Sequence, residues 1–284
     1  DLLPHLAADQ NKKTLGEGIT GEALNIVIGS APDKEAEKDK VKYNILKILN
    51  EKYGIKEEDF LSAELSLVPA FKARDIGFDR ALIGAYGHDD RVCSYPAFSA
   101  LFDTETDGKT VMVVLADKEE IGSEGTTGMQ CAIFTDLIDA IAYSFDTTSA
   151  VIRANSKCLS ADVNAAYDPN FKDVNEPMNS TYVSCGAGLT KFTGARGKSG
   201  SNDASAEFMA EVRKMFNDEG VIWQTGELGK VDQGGGGTVA KYIAKMNIDT
   251  VDIGVAVVSM HAPYEVISKA DVYEMYLACK AFMK

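Results

Sequence analysis

From about residue 84 onward, short and almost continuously apolar runs alternate with segments whose apolar residues recur at helical spacing. No other feature constrains the fold as much. TVMVVLAD (110–117), a stretch over about 151–161, VIWQT (221–225) and TVDIGVAVVS (250–259) read as strands. Helices are expected over 89–103, Met129–Phe145, Asp203–Asp218, Thr238–Met246 and Ser268–Met283. In the second, Ile133, Phe134, Leu137, Ile138 and Ile141 share a face; in the third, Phe208, Met209, Val212, Met215 and Phe216 do so, with Gly220 as the stop. The last opens on a Ser-x-x-Asp capping pattern. Strands without a polar face belong to a sheet covered on both sides. The expected class is therefore α/β, a three-layer αβα domain with a mixed, largely parallel sheet.

Before residue 84 the pattern is weaker. Val41, Ile45, Leu46, Ile48 and Leu49 indicate a helix within 34–53, and Gly54 is its expected stop. LSAELSLVPA (61–70) and ALIGAYG (81–87) read as strands.

Ligands of such sheets gather at the C-terminal ends of strands. Here those ends carry one kind of chemistry. ALIGAYG leads into His88, Asp89 and Asp90, TVMVVLAD into Glu119 and Glu120, CLSADV contains Asp162, and VVSMHAPYE contains His261. Carboxylates and one imidazole suit zinc or another borderline divalent ion. The adjacent pair Glu119 and Glu120 raises a particular question. Neighbours in a strand point to opposite faces, but Gly122 and Gly125 permit a turn after which both glutamates face one cavity. One would bind metal. The other, its pKa raised by neighbouring carboxylates, would act as a general base.

Charge and cysteine usage narrow the class. The chain has 284 residues and a net charge of −14. That balance argues against nucleic acid and against an anionic membrane surface. The five cysteines are scattered and odd in number, as in a reducing compartment, so a cytoplasmic location is expected. No apolar run has the length of a membrane span. The start, DLLPHLAADQ, reads like the middle of a domain, so the chain is expected to be a fragment or a processed product. GARGKSGS does not make a phosphate loop, because Phe192 stands where the first glycine is needed.

Taken in order, PHLAADQ, GHDDR, DKEEIGSEG, SADVNAAYDPN, KFTGARGKSGSNDASAE and SMHAPYE resemble the aspartyl aminopeptidase family of dinuclear zinc exopeptidases. The resemblance covers essentially the whole chain. It implies two divalent metal ions, zinc first, with cobalt or manganese as alternatives. By this resemblance Asp89 bridges the metals and Glu119 is the general base. Glu120 and His261 bind one metal, and Asp162 binds the other. His5 would reach a neighbouring subunit's active site in a homo-oligomer, a tetrahedral dodecamer. Residues 1–78 would be the C-terminal part of an inserted β-rich oligomerisation domain, and 79–284 the main part of the catalytic domain. Substrates would be peptides. Lys191, Arg196 and Lys198 would favour an acidic first residue, and Gly235 and Gly236 would let the backbone approach the substrate.

One departure stands out. The family has an upstream His-x-Asp motif, and this chain has only His5, His88 and His261. His88 falls in the bridging-aspartate segment and is expected to be an incidental neighbour. One site is thus expected to lack its histidine, to be supplied by a companion N-terminal fragment or missing altogether. The rival expectations are a catalytically impaired assembly partner or scaffold, and a related deacylase or carboxypeptidase.

Overall fold

The computed structural model describes residues 2–284. The chain divides into two units, Asp1–Leu67 and Val68–Lys284.

In the first unit, a helix α1 (Lys40–Tyr53) is joined to short 3-10 turns. Gly54 ends α1 in the left-handed region, its N–H donating to the Asn50 carbonyl, as the sequence indicates. Among the described residues of this unit, Ala7 is the single buried side chain. The run LSAELSLVPA, expected as a strand, joins no ladder. Leu61, Leu65 and Leu67 are exposed, so neither a neighbouring strand nor a core favours pairing there.

The second unit holds two sheets. One has the order β1 (Arg74–Ile76), β2 (Leu82–Ala85), β9 (Glu265–Ser268), β8 (Ala256–Val258), β4 (Asn164–Ala165). The other has the order β3 (Lys157–Ala161), β7 (Asp249–Gly254), β5 (Ala187–Thr190), β6 (Trp223–Thr225). Strand pairing is more evenly mixed than the strand–helix alternation suggests. The pairs β3/β7, β4/β8 and β5/β6 are parallel, whereas β1/β2, β2/β9, β5/β7 and β8/β9 are antiparallel.

Six helices accompany these strands: α2 (His88–Asp103), α3 (Ile133–Ser144), α4 (Ser149–Ala154), α5 (Ala206–Asp218), α6 (Ala240–Ala244) and α7 (Lys269–Met283). Leu159, Ala161, Val251 and Ile253 of β3 and β7 pack into a core with Cys93, Phe208, Val212 and Met275 from α2, α5 and α7. Cys158 alternates with Leu159 and joins a smaller core with Ile138 and Ile243 from α3 and α6. Successive strand residues face opposite sides. Helices therefore cover both faces, which is the three-layer arrangement.

Several local expectations change. TVMVVLAD joins no ladder and makes a single bridge, Asp117 to Gly128. Its alternation survives: Val111 and Val113 pack on the main core while Met112 and Val114 stay exposed. The expected strand over 151–161 begins as helix α4 and becomes β3 only at Lys157, because Thr148 caps the helix by accepting from the Val151 N–H. TVDIGVAVVS is cut at Val255 into β7 and β8, which lie in different sheets. The parallel neighbour divides beside it, leaving Asp162 at the joint between β3 and β4. Gly254 is required at that joint, since a Cβ there would lie 1.5 Å from the Asp162 carbonyl oxygen.

The capping pattern at α7 also works differently. Ser268 makes no side-chain cap, and the fully buried Asp271 turns away from its own helix. Its carboxylate accepts from the backbone N–H of Ser184 at 2.7 Å and of Gly186 at 2.8 Å. Asp271→Asn sets an amide against one of these donors. It is expected to lower stability by about 1–3 kcal/mol, read as a shift of the urea midpoint.

Candidate metal centre

Four chain segments bring carboxylates and an imidazole together. β2 runs out through Gly87 into the start of α2, where Asp89 and Asp90 depart from helical dihedrals. Glu119 and Glu120 occupy a single 3-10 turn, Glu119–Ile121, entered at Lys118 (φ 63°) and left at Gly122 (φ 99°). That left-handed exit makes glycine the natural residue at position 122, and the turn replaces strand alternation, so both glutamates line one cleft. Asp162 stands at the joint of the two sheets. His261 follows β8 with φ 65°.

The side chains fall into two groups that share Asp89. Asp89, Glu120 and His261 form one; Asp89, Asp90 and Asp162 form the other. Within each, one potential ligand atom per residue lies within 4.8 Å of the others. His261 Nε2 is 3.0 Å from Asp89 Oδ2 and 3.2 Å from Glu120 Oε1. Asp89 is half-buried with its side chain only 8% exposed, while Glu120 and His261 open to solvent. Asp90 Oδ1 is buried with no hydrogen-bond partner. His88 belongs to neither group, and its Nε2 lies 3.1 Å from the Ile83 carbonyl.

The electrostatics follow from burial and like charge. Burial, then the charges of Asp162 and Glu120, push the Asp89 carboxyl up to about 7. Burial and Asp162 push Asp90 up to about 9, and burial above all pushes Asp162 up to about 7. Glu119 is raised by burial and by Glu120 and Asp89. Crowded carboxylates of this kind ask for positive charge, and Asp90 Oδ1 has a free lone pair to offer. Oxygen donors with one imidazole nitrogen suit zinc, manganese or cobalt. The residues present fit a divalent metal ion.

A pH dependence of the metal-free chain follows. Asp89, Asp90, Asp162, Asp252 (about 6) and Glu227 (about 7) all have folded pKa values above the ordinary carboxylate value. The folded state then binds more protons than the unfolded chain, so stability falls as pH rises through this range. His88, its pKa lowered by burial, acts oppositely as the pH falls, while Asp75 and Asp203, lowered by lysine and arginine partners, do so only below the ordinary carboxylate range. The melting temperature of metal-free protein is therefore expected to rise from pH 8 to pH 5 in a calorimetric series.

The structure places the other expected residues as follows. Lys191 and Lys198 both pair with Asp203. Arg196 is exposed, and its N–H donates to the Gly234 carbonyl. Gly235 lies against the Gly194 carbonyl and Gly236 accepts from the Gly194 N–H, so these two hold the 191–200 loop. Gly237 and Thr238 instead line the cleft with Glu119, Glu120, Ser123, Lys241 and Tyr242. His5 is exposed in the turn Pro4–Leu6 of the first unit.

Asp90 shares its strand end with Asp89 in the sequence, and the structure adds it to the second group. Two further residues escape the sequence reading. Asp252, buried in β7, accepts from the Thr238 hydroxyl at 2.7 Å, and nothing in the sequence links the two. Glu265, 2% exposed, accepts from the N–H of both Asp89 and His261. Its partner Asp89 is 176 positions away, which no local pattern reveals.

With this geometry in hand, the likeness to known proteins becomes specific. The family model "Aminopeptidase I zinc metalloprotease (M18)" matches residues 1–283. The chain belongs to the M18 aminopeptidase family. It is 51% identical over 288 residues to a probable M18 family aminopeptidase 1 of Clostridium acetobutylicum, covering all of this chain and 62% of that relative. A counterpart of the same description from Thermotoga maritima is 47% identical over 289 residues, again covering the whole chain and 63% of the relative. The crystal structure of an M18 aminopeptidase from Thermotoga maritima superposes with a TM-score of 0.95 at 46% identity, across all of this chain and 64% of that one. This M18 chain therefore spans less than two thirds of the length of the relatives it matches. Among its described residues no helix is long and apolar enough to cross a membrane.

Proposed function

We propose that the chain carries the chemical centre of a metal-dependent aminopeptidase that removes the first residue of peptides. The single observation that carries this reading is Asp89, which belongs at once to two ligand groups beside Glu119. A carboxylate shared in this way is suited to bridging two divalent ions. Such ions, zinc in the first instance, would supply Lewis acidity towards the scissile carbonyl and lower the pKa of water towards about 7.

The chain's own residues account for the rest. Asp89, Glu120 and His261 would hold one ion, and Asp89, Asp90 and Asp162 would hold the other. Glu119 is in the same cleft but in neither group, which leaves its carboxylate free to take a proton. It accepts the proton of the attacking water as the new carbon–oxygen bond forms. It returns that proton to the amine nitrogen as the carbon–nitrogen bond breaks. The acidic wall of Glu119 and Glu120 suits the ammonium of a free N-terminus. Any preference for an acidic first residue falls to Lys191 and Lys198, whose charges Asp203 already engages. Assembly as a homo-oligomer belongs to the same proposal, with the exposed Leu15, Val27 and Leu61 of the first unit as contact surface.

The test compares peptides that keep a free C-terminal carboxylate and carry either a free or an acetylated N-terminus, in the presence of zinc or cobalt. Cleavage of the free form alone supports the reading. Equal cleavage of blocked peptides supports a deacylase or carboxypeptidase. Metal binding without turnover on either supports a scaffold.

A further inference from the structure

Glu265 opens β9, and its Cα pairs with Ala85 at the end of β2, beyond which the chain turns into Asp89. The same residue lies four positions after His261. Register and loop length thus bring one carboxylate between two ligand-bearing segments. Oε2 accepts from the Asp89 N–H at 3.1 Å and Oε1 from the His261 N–H at 2.9 Å. Glu265 is buried, and both of its oxygens are used on these two donors.

We infer that Glu265 is a positioning residue that sets the separation of Asp89 and His261 and so determines the affinity of the site they share. The inference rests on the reading of this cluster as a metal centre. Its physical basis is geometric. His261 has a left-handed backbone and a side chain open to solvent, so its own packing does little to fix the ring. The bond from its N–H to Glu265 ties that backbone to a sheet strand. The second bond ties the bridging segment to the same strand. A ligand pair held by one rigid acceptor is set before the ion arrives. Residues that orient metal ligands in this way are typically worth about 10- to 100-fold in affinity.

Glu265→Gln retains size and one acceptor but turns an amide donor towards an N–H. Asp271→Asn makes the same chemical change at another buried carboxylate that accepts two backbone N–H groups, remote from the ligands in its bonding. Zinc affinity of the full 284-residue chain is measured for the parent and both variants by competition with a chromophoric chelator, together with the melting curve of each metal-free protein. The expected result is a loss of about 10- to 100-fold in zinc affinity for Glu265→Gln alone. Asp271→Asn is expected to melt earlier yet bind zinc as the parent does. Unchanged affinity in Glu265→Gln overturns the inference, as does an equal loss in both variants, which would mark general loosening. Should Glu265→Gln fail to fold, Glu265→Asp keeps both acceptors on a shorter stem. Parent-like zinc affinity in that variant overturns the inference too. A parent chain that binds no zinc overturns the metal-centre reading itself, and that outcome is read before any substitution.

Discussion

Glu119→Gln is expected to reduce peptide hydrolysis by about two to four orders of magnitude while leaving the metal content of the chain unchanged. The asymmetry between the two readouts is what identifies a base. Glu119 lines the cleft but belongs to neither ligand group, so its removal costs a proton acceptor and no metal–oxygen bond. Its carboxyl is raised by burial and by Glu120 and Asp89, which brings it nearer the pH at which a base is effective. The matching change at Glu120 should behave in the opposite way, losing metal first. Elemental analysis and initial rates on the same preparations distinguish the two.

Asp89→Asn should have the largest effect on metal binding. Asp89 is the one residue common to both groups, and it is the more buried partner of His261. An amide there keeps the shape but removes the charge on which two dications would depend. Affinity at both positions is expected to fall by more than the roughly 100-fold typical of losing a residue that merely orients a ligand. Glu120→Gln and Asp162→Asn should each weaken one position and spare the other. Competition titrations of the three variants give this pattern directly, and equal effects in all three would contradict a bridging role.

How much of this was legible in the sequence depends on the distance over which each feature is encoded. Helices α2, α5 and α7 were readable because their apolar residues recur within a few turns, and β2 and β6 because each is a short run with clear ends. The site segments were readable for a related reason. The expectation that strand tips converge groups Asp89, Glu119, Glu120, Asp162 and His261 in the sequence, and Asp89, Glu120, Asp162 and His261 fall in the two ligand groups although the segment before Glu119 is no sheet strand. Features set by distant partners stayed hidden. TVMVVLAD has the composition of a strand, but composition does not supply a neighbour, and it joins no ladder. The division of TVDIGVAVVS at Val255 depends on the strand beside it. The Ser268-x-x-Asp271 pattern looked local, yet Asp271 serves a turn 85 to 87 residues earlier. Glu265 and Asp252 are the same case within the site. Each is a buried carboxylate whose meaning lies in the group it accepts from.

The central claim is that this chain folds Asp89 into a shared ligand between two metal positions. The most direct test is the metal-to-chain ratio after saturation with zinc at pH 7.5 and removal of loose ions. The account predicts a ratio of about two per chain. A ratio of one or none would contradict it.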